Sequence, residues 1–94
     1  MRESAVEAAC RKHALAMGVP SFKIQGGAAG DPDRIFLLPG ERSWLVEFKT
    51  IGGRLSPRQV VRHLELARMG QHVTVIYDTE KFKSLLRVRL FGVD

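Results

Sequence analysis

Val46-Glu47-Phe48-Lys49 sets a carboxylate and an amine two residues apart inside an otherwise apolar stretch, with Asp33 a short distance upstream. On a strand, Glu47 and Lys49 share one face and Phe48 points to the other. An acid and a base are costly to bury, so their presence on a core-like strand asks for a chemical role. Asp33, Glu47 and Lys49 together suit metal-dependent phosphodiester cleavage. Two carboxylates hold Mg²⁺ or Mn²⁺ while the ion keeps several waters and meets a substrate phosphate. A lysine beside them orients or deprotonates the attacking water and neutralises the phosphoryl oxygens. Phe48 anchors the strand to the core, and its backbone carbonyl is a further candidate ligand.

The elements that position these groups follow from pattern and punctuation. Residues 3–17 read as an amphipathic helix with Val6, Ala9, Cys10, His13, Ala14 and Met17 on its apolar stripe, stopped by Gly18 and Pro20. Glu3 lies about 50° from the centre of that stripe and Glu7 nearer 90°. Glu3 therefore sits at the shoulder of the buried face, where it could add a carboxylate through a metal or a water, and Glu7 looks out more squarely; both also suit the helix dipole.

Ser21 to Gln25 is a short strand candidate. Gly26-Gly27-Ala28-Ala29-Gly30 then forms a loop that lets another backbone or a substrate come close. It lacks the Gly-Lys-Ser/Thr ending of a P-loop and the dinucleotide spacing, so no nucleotide cofactor is expected. Pro32 fixes the chain just before Asp33. Strands over 34–38 and 43–49, joined by the turn Pro39-Gly40-Glu41-Arg42, predict an antiparallel hairpin. In that hairpin Asp33 meets Glu47 and Lys49 at one edge of the sheet.

Thr50 to Leu55 is a second glycine-containing loop. Ser56-Pro57-Arg58-Gln59 carries an N-cap serine, proline at the first helical position and glutamine closing a capping box. The helix runs to about Met69, with Val60, Val61, Leu64 and Ala67 as its apolar side, and stops at Gly70. His72 to Tyr77 is a fourth strand, expected to lie parallel in the sheet after its crossover helix. Thr79 caps a last helix from Glu80 to about Leu86. Arg87-Val88-Arg89-Leu90 alternates, as an edge strand or a docking segment would. The result is one α/β domain over residues 1–94: a mixed four-stranded sheet flanked by helices, αβββαβ plus a C-terminal helix.

Composition narrows the partners. Fifteen Lys and Arg against ten Asp and Glu leave +5 over 94 residues, which suits a polyanion. Arg34, Arg54, Arg58, Arg62 and Arg68 give a basic surface beside the site, fitted to a nucleic-acid backbone rather than to base edges. The aromatic residues are mostly placed as core, so a base-stacking platform is not expected. Cys10 is the single cysteine, and it fits plain core and a reducing cytosol. The three histidines and one cysteine show no zinc spacing, and His63 reads as a packed or solvated side chain. No apolar run of about 18 residues or charged-then-apolar leader is present, so a soluble intracellular protein without a membrane segment is expected.

Gly30-Asp31-Pro32-Asp33-Arg34, Pro39-Gly40, Val46-Glu47-Phe48-Lys49, Gly52-Gly53-Arg54-Leu55-Ser56-Pro57-Arg58-Gln59, His63 and Gly70 resemble, in order and spacing, the VRR-NUC family of the PD-(D/E)XK nuclease superfamily. Glu-Ser-Ala-Val-Glu at residues 3–7 resembles the family's first-helix motif, whose leading acid matches Glu3. Thr50-Ile51 stands where many relatives carry an Ala/Ser-Pro step. Standalone members of this kind are typical of phages and prophages, and the same module ends a eukaryotic interstrand-crosslink repair nuclease.

The resemblance implies Asp33 and Glu47 as metal ligands, Lys49 as the catalytic lysine and Gln59 as an additional active-site residue, beside its complete structural role in the capping box. It also implies a homodimeric, structure-specific endonuclease that acts on branched DNA such as Holliday junctions inside a bacterial host cell. Rival readings are a non-catalytic nucleic-acid-binding module with a vestigial site, and an assembly subunit whose basic face docks an acidic protein. Restriction-type cleavage shares the chemistry, but the chain leaves little room for a base-reading element.

Overall fold

A computed structural model describes residues 2–92. Helix α1 (Glu3–Ala16) is followed by strands β1 (Ser21–Lys23), β2 (Arg34–Leu38) and β3 (Arg42–Phe48), helix α2 (Pro57–Arg68), strand β4 (Val73–Ile76) and helix α3 (Thr79–Phe91). The sheet runs in the order β1-β2-β3-β4. The first three strands are antiparallel, and β4 is parallel to β3. The mixed four-stranded sheet and its helical flanks are those expected from the sequence.

Alternation divides the sheet into two unlike faces. Phe36, Leu38, Trp44, Val46, Phe48 and Ile76 are buried on one face, where Val6, Cys10 and Ala14 of α1 and Phe82 and Leu86 of α3 complete the core. Trp44 stacks on Phe82 with centroids 5.0 Å apart, and Phe36 meets the same ring at 5.0 Å. Such aromatic pairs add about 0.5–1.5 kcal/mol each beyond area burial, so β3 is held firmly from beneath. Burial pushes the Cys10 thiol up to about 12, which leaves it inert core.

Helix α2 flanks the sheet without burying any of its residues. Its expected apolar side, Val60, Val61 and Leu64, stays exposed. On the first helix the buried stripe is narrower than the sequence suggests: Met17 lies beyond the helix end and is exposed, and Ala9 faces solvent.

The alternating segment Arg87-Val88-Arg89-Leu90 is the last turn of α3 and neither a strand nor a separate docking segment. The period-two pattern loses to the helical spacing of Phe82, Leu86 and Leu90, which face the core. The Arg89 guanidinium lies 4.2 Å from the centroid of Trp44, where a cation on a ring face is stabilised. No helix among the described residues is long and apolar enough to cross a membrane.

Candidate active site

The hairpin register sets the site. Arg34 pairs with Val46 and Leu38 with Arg42, which brings the residue before β2 beside the end of β3. The Asp33 backbone N–H donates to the Val46 carbonyl at 3.1 Å, and its carboxylate Oδ2 accepts the Phe48 N–H at 2.7 Å. Asp33 is thereby pinned by main chain on both sides. The Lys49 N–H donates to the Ile76 carbonyl at 2.9 Å, so the lysine leaves the sheet from a fixed point at the carboxyl ends of the two parallel strands. Open sheets bind their ligands outside those strand ends.

Glu47 is the one buried charged residue among those described, 2% exposed. That burial excludes an ordinary solvent-facing Glu-x-Lys pair. Desolvation is the largest cause that raises its pKa, to about 8. The neighbouring Asp33 carboxyl, with which it shares a hydrogen bond, adds to the rise, as does Glu3 more weakly, while Lys49 opposes it. Two carboxyls side by side in a half-dry site cannot both ionise at low cost without a cation.

Helix α2 reaches this pair through its first turn. Ser56 Oγ accepts the Gln59 N–H at 3.1 Å, and Gln59 Oε1 accepts the Ser56 N–H at 2.8 Å. With its oxygen so engaged, the amide turns Nε2 outward to donate to Glu47 Oε2 at 3.1 Å. The capping and site-facing roles therefore belong to one side chain. A glutamate would close the same box but would present a carboxylate to Glu47. One turn later, His63 Nε2 lies 3.5 Å from Glu47 Oε1. Burial first, and then Lys49, lower the His63 pKa, while Asp33 opposes them. The sequence places this histidine one turn after Gln59 on the same side of the helix, as a packed or solvated side chain; it is packed, against Glu47.

The two acids of α1 part company in the structure. Glu7 accepts Lys23 Nζ at 3.0 Å on each oxygen and Arg34 Nε at 3.1 Å. Glu3 lies near enough to Glu47 to raise its pKa weakly. The arginines separate in the same way. Arg34 is held by Glu7 and by Ser21 Oγ at 2.9 Å. Arg62 donates to Asp31 at 2.6 Å, which clasps the glycine-rich loop to α2, and to Glu65 at 3.2 Å within the helix. Arg54, Arg58 and Arg68 are the exposed members of the expected basic set.

The loop itself packs closely on the helix. Asp31 Oδ2 accepts the Ala28 N–H at 2.7 Å, and Gly30, at φ +88°, brings its backbone against Arg58 and Gln59. Loop and helix enclose a groove of about 360 Å³ lined by Ala28, Ala29, Pro57, Arg58, Val61, Arg62 and Glu65.

Among the described residues no three His, Cys, Asp or Glu side chains converge to hold a metal alone. The donor set at Asp33 and Glu47 nonetheless fits a hard divalent cation. Mg²⁺ takes one or two carboxylates and keeps the rest of its shell as water. Glu47 Oε1 is buried and accepts no hydrogen bond, and the mutual repulsion of the two carboxyls is what a cation relieves.

No family model matches the sequence. Among known protein sequences, the chain is 29% identical over 87 residues to "Putative nuclease p44" of Acyrthosiphon pisum secondary endosymbiont phage 1, covering 92% of each. Among solved structures it superposes with a TM-score of 0.81 on a chain described as a VRR_NUC domain, 25% identical, covering 90% of this chain and 94% of that one. The resemblance carried by its motifs is thus matched in three dimensions, and the two relatives support a nuclease of the VRR-NUC type.

Proposed function

We propose that residues 1–94 form a single nuclease domain that hydrolyses DNA phosphodiester bonds with Mg²⁺ or Mn²⁺, cutting branched DNA such as four-way junctions as a homodimer. One observation carries this reading: a buried Glu47 carboxyl pressed against Asp33, with the Lys49 amine on the same strand edge. Asp33 and Glu47 hold the ion, with the Phe48 carbonyl as a third donor and Glu3 joining through a water. The bound ion supplies Lewis acidity to the phosphate and lowers the pKa of water. Lys49 neutralises the phosphoryl oxygens and orients the attacking water, and Gln59 holds the Glu47 carboxylate in place.

Arg54 and Arg58 take the flanking backbone, which gives affinity without reading base sequence. Arg34 and Arg62 serve the DNA surface indirectly, by fixing α1 and the glycine-rich loop. The uncovered apolar row of α2, Val60, Val61 and Leu64, supports a second copy of the chain as partner, because contiguous exposed apolar surface marks an interface. Two copies would place two sites for paired cuts. The setting that suits a reduced Cys10 and such a substrate is the cytoplasm of a bacterial host.

The test is a panel of labelled duplex, flap, splayed-arm and four-way-junction DNA with Mg²⁺ or Mn²⁺, run beside light scattering. Branched substrates are expected to be cut at least tenfold faster than duplex by a particle of twice the chain mass. Equal rates on all four, or a monomer in the active fractions, would contradict the branched-DNA dimer.

The helix acids provide a second expected outcome. Glu3→Gln is expected to lower the cleavage rate about tenfold with little change in stability. Glu7→Gln is expected to lower the melting temperature by a few degrees while cleavage persists, since it loses partly buried pairs with Lys23 and Arg34. A larger loss of cleavage at Glu7 would reverse the assignment.

A further inference from the structure

The nuclease reading leaves two buried atoms unexplained. Glu47 Oε1 and His63 Nε2 are both shielded from solvent and both lack a hydrogen-bond partner, yet they face one another at 3.5 Å. Buried polar atoms are nearly always paired, and an orphan is costly. Here each orphan is the other's nearest opportunity. Their setting is built rather than incidental, since the side chains are 3% and 13% exposed. The histidine also stands one helical turn from Gln59, which already donates to the other oxygen of the same carboxylate.

We propose that His63 is a positioning residue: its Nε2–H is the second donor to Glu47, so that consecutive turns of α2 grip both oxygens of one carboxylate. The inference rests on the nuclease reading for its functional consequence and on the geometry alone for the contact. A carboxylate held by Gln59 only can pivot about that single bond. Gripped at both oxygens, it keeps its plane fixed relative to Asp33. Partners that orient a ligating carboxylate are worth about 10–100-fold in metal affinity or activity.

The arrangement also explains why α2 sits where it does while burying none of its residues. Among the described residues its lasting contacts toward the sheet face include polar ones to Glu47, joined by the Arg62–Asp31 clasp. The helix is thus a device that shapes the site more than a slab of core. The grip acts on an acid that would hold metal, and His63 itself neither binds substrate nor exchanges a proton with it.

The experiment compares wild type, His63→Leu and His63→Gln, each checked for native circular dichroism. Leucine keeps the bulk and removes the donor, whereas glutamine restores a donor on a flexible stem. Two readouts are taken: Mn²⁺ affinity by calorimetry without DNA, and single-turnover kcat and KM on a junction. His63→Leu is expected to lose tenfold or more in Mn²⁺ affinity and in kcat, with KM within about twofold of wild type. His63→Gln is expected to recover most of both.

If His63→Leu matches wild type in Mn²⁺ affinity, or if a folded His63→Gln is as impaired as leucine, the proposal fails and the histidine is packing. A wild type that binds Mn²⁺ and cuts no DNA would instead overturn the nuclease reading. The affinity comparison would then still decide His63.

Discussion

Glu47→Gln is expected to raise the melting temperature of the metal-free protein and, in the same molecule, to abolish cleavage. The stabilisation follows from the sign of the linkage. The folded-state pKa of Glu47 is raised from 4.5 to about 8, so the folded protein keeps a proton that the unfolded chain releases between those values. Its contribution to stability is fully present below about pH 4.5 and is lost as pH rises through about 8. The metal-free wild type should therefore weaken steadily from pH 5 to pH 9.

An amide removes the titration. It also replaces one of two repelling carboxyls by a neutral amide, whose carbonyl still accepts from Gln59. At pH 8 the gain should be about 2 kcal/mol, roughly 8–16 °C for a chain of this size, and near zero at pH 5. Melts in EDTA at the two pH values check it. Adding Mn²⁺ should reverse the order, since only the carboxylate pair is rewarded by the ion. A variant less stable than wild type at pH 8 in EDTA would show that the Asp33–Glu47 pair is not the strained feature described above.

Gly30→Ala should be among the most damaging single-methyl changes available. At φ +88° an L side chain is strained, and a Cβ there would lie 2.5 Å from the Arg58 carbonyl oxygen, 2.8 Å from its carbon and 3.1 Å from the Gln59 nitrogen. All three atoms are backbone of the first turn of α2, so relief means moving the helix. That motion would pull Gln59 away from Glu47 and loosen the loop that Asp31 and Arg62 clasp.

The expected cost is about 2–4 kcal/mol, or roughly 10–20 °C, with cleavage reduced at temperatures where the protein is still folded. Gly26→Ala is the control. It shares a positive φ of 71° but has nothing within 4 Å of the added carbon, so only the conformational cost of about 1 kcal/mol should appear. Equal effects at the two positions would mean that the loop–helix contact does not matter.

What the sequence discloses and what it conceals divide along physical lines. Local signals survived: the Pro39-Gly40 turn, the capping box at Ser56 and the alternation of β3 are properties of neighbouring residues, and they suffice to bring Asp33 to Glu47. Relations across the fold did not. Nothing local says that Glu7 takes Arg34 or that Asp31 takes Arg62, so a count of arginines overstates the cations left for DNA. The segment 87–90 alternates by sequence and yet is helical, because Phe82, Leu86 and Leu90 recur at helical spacing against the core. The apolar pattern of α2 predicts burial, whereas it marks a face left open in the monomer. His63 gained its meaning only when Gln59 was seen to face Glu47.

The most direct measurement is single-turnover cleavage of a labelled four-way junction in Mn²⁺ by wild type and Lys49→Ala, with DNA binding measured alongside in Ca²⁺. Lys49 leaves the sheet at the strand edge beside the two carboxyls and caps no helix, so its loss should spare the fold. Removing one preorganised charge of this kind costs about 10²–10³-fold in rate. The account predicts a fall of at least that size, with binding within a few-fold of wild type and no cleavage by either protein in EDTA. Cleavage by Lys49→Ala at the wild-type rate, or by wild type in EDTA, would contradict it.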